Sequence, residues 1–179
     1  MPEAAPTVSF RPMLEADLPL LHEWIQRPHV AEWWGGGLIG ESLEDTRRKY
    51  LPRLEPDFPV KGYIALLAGE PLGFIQSYVA VECGDGWWED ETDPGVRGID
   101  QFLADGSKLG QGLGSQLVTA FVRNLFHDPN VTKVQADPDP KNARAIRCYE
   151  KVGFRPLGNV TTPDGIALLM AIARRESVA

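Results

Sequence analysis

Leu109-Gly110-Gln111-Gly112-Leu113-Gly114 constrains this chain more than any other stretch. Gly95 to Leu103 before it reads as a strand. After it, Leu113, Leu117, Val118, Phe121, Val122 and Leu125 repeat at helical spacing. A glycine turn thus feeds a strand into an amphipathic helix, whose first turn presents backbone N–H groups and a positive dipole end. Glycines let such a backbone curl around an anion without Cβ clashes, so a phosphate or pyrophosphate is the natural guest. Two nucleotide-binding patterns do not fit. A Walker loop needs Lys-Ser or Lys-Thr after its last glycine, and Ser115-Gln116 stands there; a dinucleotide fingerprint needs other glycine spacings than the alternating Gly110, Gly112 and Gly114. Alone, the loop does not separate a phosphate cradle from a plain turn that starts a helix.

A chain of 179 residues forms one domain, here 1–179 with 1–6 as a frayed end. It is long enough to bury about 70 % of its unfolded surface. Its net charge of −7 argues against nucleic acid and suits a cationic ligand, although acidity also serves solubility. Cys83 and Cys148 are too few for a disulfide framework, and no Cys or His spacing points to a metal. No signal peptide and no run of about 18 apolar residues is present, so no membrane partner is expected and the cytoplasm is the expected compartment. A monomer and a weak homodimer both remain open.

Val8 to Arg11 alternates as a first strand. Asp17 is placed to cap a helix burying Leu18, Leu21, Trp24 and Ile25, with His22 solvated and Pro28 ending or kinking it. Trp33-Trp34 before three glycines is either a core anchor or a wall for a flat ligand. Ser42 starts a helix to about Leu51. Tyr63–Leu67 and Leu72–Val81 form a hairpin across 68–71. Asp85, Glu89, Asp90, Glu91 and Asp93 surround Trp87 and Trp88, as either a solvated loop or a cation-recruiting rim with aromatic floors. Val131–Ala136 is a strand, Asp137 to Pro140 a stiff turn, and Lys141–Val152 a helix stopped by Gly153. Strands at 155–160 and 166–172 follow, and the alternating order implies parallel pairing at this end.

Asn142 to Phe154, read with the glycine loop upstream, resembles the GNAT superfamily of acetyl-CoA-dependent N-acyltransferases. That resemblance implies an α/β single-domain fold: a mixed central β-sheet flanked by helices, with a splayed strand before the CoA pyrophosphate loop. Leu109 departs from the polar residue usual in that loop. A closer resemblance covers almost the whole chain. His29-Val30-Ala31-Glu32-Trp33-Trp34-Gly35-Gly36, Gly84 to Glu89, Asp93 to Gln101 and Thr161 to Gly165 resemble the aminoglycoside 6′-N-acetyltransferases, a family of antibiotic-resistance enzymes.

What the resemblance implies can be written residue by residue. Acetyl-CoA is the cosubstrate, held by Phe102, Leu103, Leu109, Gly110, Gln111, Gly112, Leu113, Gly114, Ser115, Asn142, Ala145 and Tyr149, with no metal. A protonated amine must lose a proton before it attacks, so Asp100 is the expected base, with simple charge binding as its alternative and Asp137 able to share either duty. A backbone N–H near Phe102 or Leu103 would stabilise the thioester oxygen. Tyr149 is the expected acid toward the departing thiolate, a core tyrosine being its alternative; Cys148 is expected to pack, since a helical neighbour points about 100° away. For the polycationic drug, Asp85, Asp100, Asp137 and Asp164 supply charge, Trp34, Trp88 and Tyr50 walls, and Gln76 bonds to hydroxyls. Phe102 shares a strand face with Asp100 and should affect which drugs fit. The rivals are a GNAT enzyme acting on another amine, such as N-hydroxylysine in siderophore synthesis, and a non-catalytic CoA or drug sensor.

Overall fold

Residues 5–34 and 40–174 are described by the computed structural model. Met1 to Ala4 of the expected frayed end, and the glycines at 35–37, lie outside them. Seven strands build one mixed sheet: β1 (Val8–Pro12), β2 (Val60–Leu67), β3 (Glu70–Val79), β4 (Val96–Leu103), β5 (Lys133–Ala136), β6 (Arg155–Thr162) and β7 (Gly165–Ala173). Their spatial order is β1-β2-β3-β4-β5-β7-β6. The described helices are α1 (Leu18–Ile25), α2 (Pro28–Ala31), α3 (Leu43–Tyr50), α4 (Leu113–Phe126) and α5 (Ala143–Val152). None is long and apolar enough to cross a membrane.

Among the described residues, parallel pairing is confined to β4 and β5. The crossover through α5 does return the chain in the same direction, but it lands β6 one place too far out. The β6–β7 hairpin then folds β7 back into the gap, antiparallel to both β5 and β6. A second consequence matters more. β5 pairs with β4 only as far as Gly98↔Gln135, whereas β4 runs on beside β3 to Leu103↔Gly73. The last five residues of β4 therefore have a neighbour on one side only, and the sheet splits there into a V.

Alternation along β4 divides the core. Ile99 and Leu103 face Leu117, Val118, Phe121 and Tyr149 from α4 and α5. Phe102 faces the other way and joins Phe74, Trp24, Ile25 and Tyr50. Leu117 and Leu21 are wholly buried, one in each cluster, so truncating either to Ala should cost about 2–5 kcal/mol.

Local signals set the element ends. Ser42 Oγ accepts from Asp45 N at 3.2 Å while Ser42 N donates to Asp45 Oδ2 at 3.0 Å, the reciprocal box that starts α3. Asn142 Oδ1 caps α5 through Ala145 N at 3.2 Å, and Gly153, at φ 114°, stops it. Three sequence expectations are corrected. Asp17 does not cap α1; its carboxylate takes Leu14 N at 2.8 Å and both guanidinium arms of Arg11. His22 is not simply solvated, because its Nδ1 lies 2.7 Å from Thr46 Oγ1 and ties α1 to α3. The β2–β3 and β6–β7 turns are each two residues long, Ala68-Gly69 and Pro163-Asp164, since strand pairing extends into the segments that look like loops.

Candidate active site

At the split in the sheet the glycine loop and α4 begin. Gly110 and Gly112 adopt φ of 74° and 80°, the left-handed region, and no side chain caps the α4 N-terminus at Gly112. The first N–H groups of the helix are thus left to the adjoining cavity, of about 350 Å³. Leu103, Leu109, Gly110, Gly112, Gly114, Ser115, Asn142, Ala145 and Tyr149 line it, joined by the cations Arg144, Arg147 and Lys151. An uncapped helix N-terminus flanked by three basic side chains suits an acidic diphosphate such as that of CoA. Gln111 and Leu113 are outside the lining. Gln111 Nε2 donates to Ser107 O at 2.9 Å, and Leu113 packs into the α4 core.

Along the free edge of β4, odd and even residues differ. Ala104 N donates to Leu72 O at 3.0 Å, so the even-numbered amides of β4 serve the β3 ladder. By alternation the amides of Gln101 and Leu103 face the V. Of the two expected donors to a thioester oxygen, Leu103 is therefore well placed, and Phe102 contributes its side chain to the cavity wall instead.

A second hollow, of about 830 Å³, contains all eight expected acceptor residues: Trp34, Tyr50, Gln76, Asp85, Trp88, Asp100, Asp137 and Asp164. The two spaces share Trp33, Trp34, Asp100, Asp137 and Asp139. Trp34 answers both halves of the sequence alternative. Its ring packs edge-on against Phe102 at 4.8 Å, its Nε1 donates to Tyr50 Oη at 2.8 Å, and it also borders both cavities. On the far wall Trp88 stacks on Tyr78 with ring centroids 6.3 Å apart and planes 6° apart. Trp88 is held there by a tight loop in which Gly84, Asp85, Gly86 and Trp88 all have positive φ.

The acidic loop divides by task. Asp85 lines the hollow. Glu91, by contrast, pairs with Lys133 at 3.5 Å, and Asp93 accepts from Gly95 N and Thr132 Oγ1, both at 2.7 Å. Of the carboxylates in this run only Asp85 lines the hollow, where the distant Asp164 joins it.

Asp100 sits opposite Gln76 across the β3–β4 ladder and accepts its Nε2–H at 2.9 Å. The Oε1 of the same amide accepts from Arg53. Gln76 is thus bonded to protein through both ends of its amide, which leaves one N–H and one carbonyl lone pair for other partners. Asp137 follows β5 on the other side of the split and borders both cavities together with Asp100. Desolvation raises both carboxyls above the ordinary range; repulsion from Asp100 and Asp164 adds to it at Asp137, pushed up to about 8. Gln76 and Arg53 favour the charged form of Asp100, whereas the neighbouring carboxylates disfavour charge on Asp137.

Tyr149 lines the first cavity from α5, its ring 5.2 Å from Phe154. Burial raises its pKa well above the usual value, so its hydroxyl keeps its proton. Cys148 packs beside α4, its Sγ 3.8 Å from Ser115 Oγ, and burial raises its thiol too, which makes it a poor nucleophile. Sequence reasoning missed Arg53, Tyr78 and His29. Pro52-Arg53 reads as a helix end, and only the packing of this 3-10 turn (Leu51–Leu54) against β2 brings Arg53 to Gln76. His29 Nε2 donates to Leu103 O at 2.8 Å, beside Arg27, which donates to Ala104 O at 2.6 Å. Together they tie the α1–α2 elbow to the free end of β4.

The split sheet, the glycine loop opening α4 and the second hollow define an acyltransferase of one class: residues 13–162 match the acetyltransferase (GNAT) domain model, and the chain belongs to that family. It is 57 % identical over 169 residues to aminoglycoside N(6′)-acetyltransferase type 1 of Klebsiella pneumoniae, spanning 94 % of this chain and 84 % of that protein. The crystal structure of aminoglycoside acetyltransferase AAC(6′)-Ib with coenzyme A matches with a TM-score of 0.90 at 56 % identity, over 95 % of this chain and 96 % of that one. The same enzyme with coenzyme A and kanamycin matches at 0.89 and 55 %, over 95 % and 96 %. Within GNAT the chain thus falls among the aminoglycoside N(6′)-acetyltransferases.

Proposed function

We propose that this chain transfers the acetyl group of acetyl-CoA to the 6′-amine of aminoglycoside antibiotics, by direct attack within a ternary complex, and so confers resistance. The observation that carries this reading is the meeting of two cavities at Asp100 and Asp137, one basic and fed by a helix N-terminus, the other acidic and walled by aromatics. Acetyl-CoA, when bound, supplies the activated acyl group. The amides that open α4, with Arg144, Arg147 and Lys151, hold its phosphates, while Asn142, Ala145 and Tyr149 border its arm.

In the acceptor hollow Asp85 and Asp164 at the rim and Asp100 with Asp137 at the base attract separate ammonium groups, which orients the drug by charge. Trp34 and Trp88 confine its rings. Charged Asp100 takes the proton of the 6′-ammonium, directly or through a water. Amides of Gln101 and Leu103 face the place where negative charge develops. Tyr149, protonated and buried, gives a hydrogen bond or proton to the thiolate that leaves.

A single lysine-like side chain needs neither 830 Å³ nor carboxylates from four segments, which favours the aminoglycoside over N-hydroxylysine. Incubation with acetyl-CoA and kanamycin tests the reading. Stoichiometric thiol release with acetyl found on the 6′-nitrogen by NMR is expected; CoA binding without transfer to kanamycin refutes it.

A further inference from the structure

Arg53 is a cation placed inside a hollow built to attract cations. It follows α3, lines the acceptor cavity, and lies with its guanidinium carbon 4.3 Å from the centroid of the Tyr50 ring. Its Nη1 donates to Gln76 Oε1, while its buried Nε has no hydrogen-bond partner among the described residues. If the hollow served binding alone, such a group would only repel ammonium ions and leave a buried donor unsatisfied. It therefore does something else.

Donor chemistry shows what. Arginine offers only donors and an ionised carboxylate only acceptors, so an amide between them has one satisfying orientation. Arg53 fixes Oε1 of Gln76 toward itself, which leaves Nε2–H for Asp100 Oδ2. Without Arg53 the amide could turn over and set its oxygen against the carboxylate. We propose that Arg53 is a positioning residue for acetyl transfer: through Gln76 it aims the Asp100 carboxylate, and by its charge it keeps that carboxylate ionised beside Asp137. Tyr50 holds Arg53 by its ring face, and Trp34 in turn holds the Tyr50 hydroxyl. The groups facing Asp100 are Lys49 and Tyr50 on α3, Arg53 after it, Gln76 and Tyr78 on β3, Cys83 after β3, Asp137 after β5, Tyr149 on α5 and Asp164 in the β6–β7 turn.

The inference rests on the acetyltransferase reading, so its test has one arm that needs no turnover. The carboxyl carbons of wild type, Arg53→Met and Arg53→Lys are titrated by ¹³C NMR, and kinetics with acetyl-CoA and kanamycin are measured from pH 5.5 to 9.5. In Arg53→Met the Asp100 titration should move up by about one pH unit or more. The acid limb of kcat should move up with it, and kcat should fall at least about tenfold at neutral pH while KM for kanamycin stays level or drops. Arg53→Lys, still a donor-only cation facing Gln76, should recover most of both. Arg48→Met, which removes an exposed cation from α3, should behave as wild type. An unmoved Asp100 titration in Arg53→Met, a higher KM with unchanged kcat, or no recovery in Arg53→Lys overturns the proposal. Absence of turnover in wild type would instead strike the acetyltransferase reading, and the NMR arm would still decide on Arg53.

Discussion

Gly98 lies opposite Tyr78 in the β3–β4 ladder, and a Cβ placed on it would stand 1.9 Å from the Tyr78 ring. The missing side chain is what lets Tyr78 lie flat over β4 and carry Trp88 on its outer face. Gly98→Ala should displace both rings. Kanamycin affinity should fall at least about tenfold, with a stability loss of about 1–3 kcal/mol from overpacking. CoA affinity, set across the V, should hold. Calorimetric titration of each ligand checks this; a loss confined to CoA would contradict the assignment of Tyr78 and Trp88 to the acceptor wall.

Asp137 makes stability depend on pH in a predictable direction. Its folded pKa, pushed up to about 8, stands far above its ordinary value of 3.8. Between those values the folded chain binds the proton and the unfolded chain releases it, so stability falls as pH rises through that window and levels off above it. Asp137→Asn removes the titration. The Tm gap between variant and wild type should widen in the variant's favour from pH 5 to 8, and then stay constant. A gap that does not change with pH would mean that Asp137 is ionised throughout.

Tyr149→Phe keeps the ring against Phe154 and removes only the hydroxyl. Expected is a fall in kcat of about 10²-fold, with Tm and acetyl-CoA KM near wild type. A more acidic acyl thiol as leaving group should narrow the deficit. Wild-type kcat in the variant would return Tyr149 to the role of a core tyrosine.

Legibility in the sequence followed the range of the interactions. The glycine loop, the capping residue Ser42 and the stop at Gly153 act within a few positions, and each stands where the pattern puts it, whereas α5 starts at Ala143 behind an Asn142 cap rather than at Lys141. The eight expected acceptor residues come from resemblance, since seven segments far apart in the chain carry them. What stayed hidden depends on register. Gln76 reads as a free amide until β3 pairs with β4 and sets it between Arg53 and Asp100. The two-residue turns and the single parallel pair likewise follow from how far each ladder extends, which local propensity does not encode.

Asp100 carries the central claim, and thiol release from acetyl-CoA in the presence of kanamycin tests it most directly. Asp100→Asn keeps a side chain of the same shape facing Gln76 and Asp137 but cannot take the ammonium proton. Turnover should fall by about 10²-fold or more, with CoA affinity unchanged. Wild-type turnover in Asp100→Asn would contradict the account.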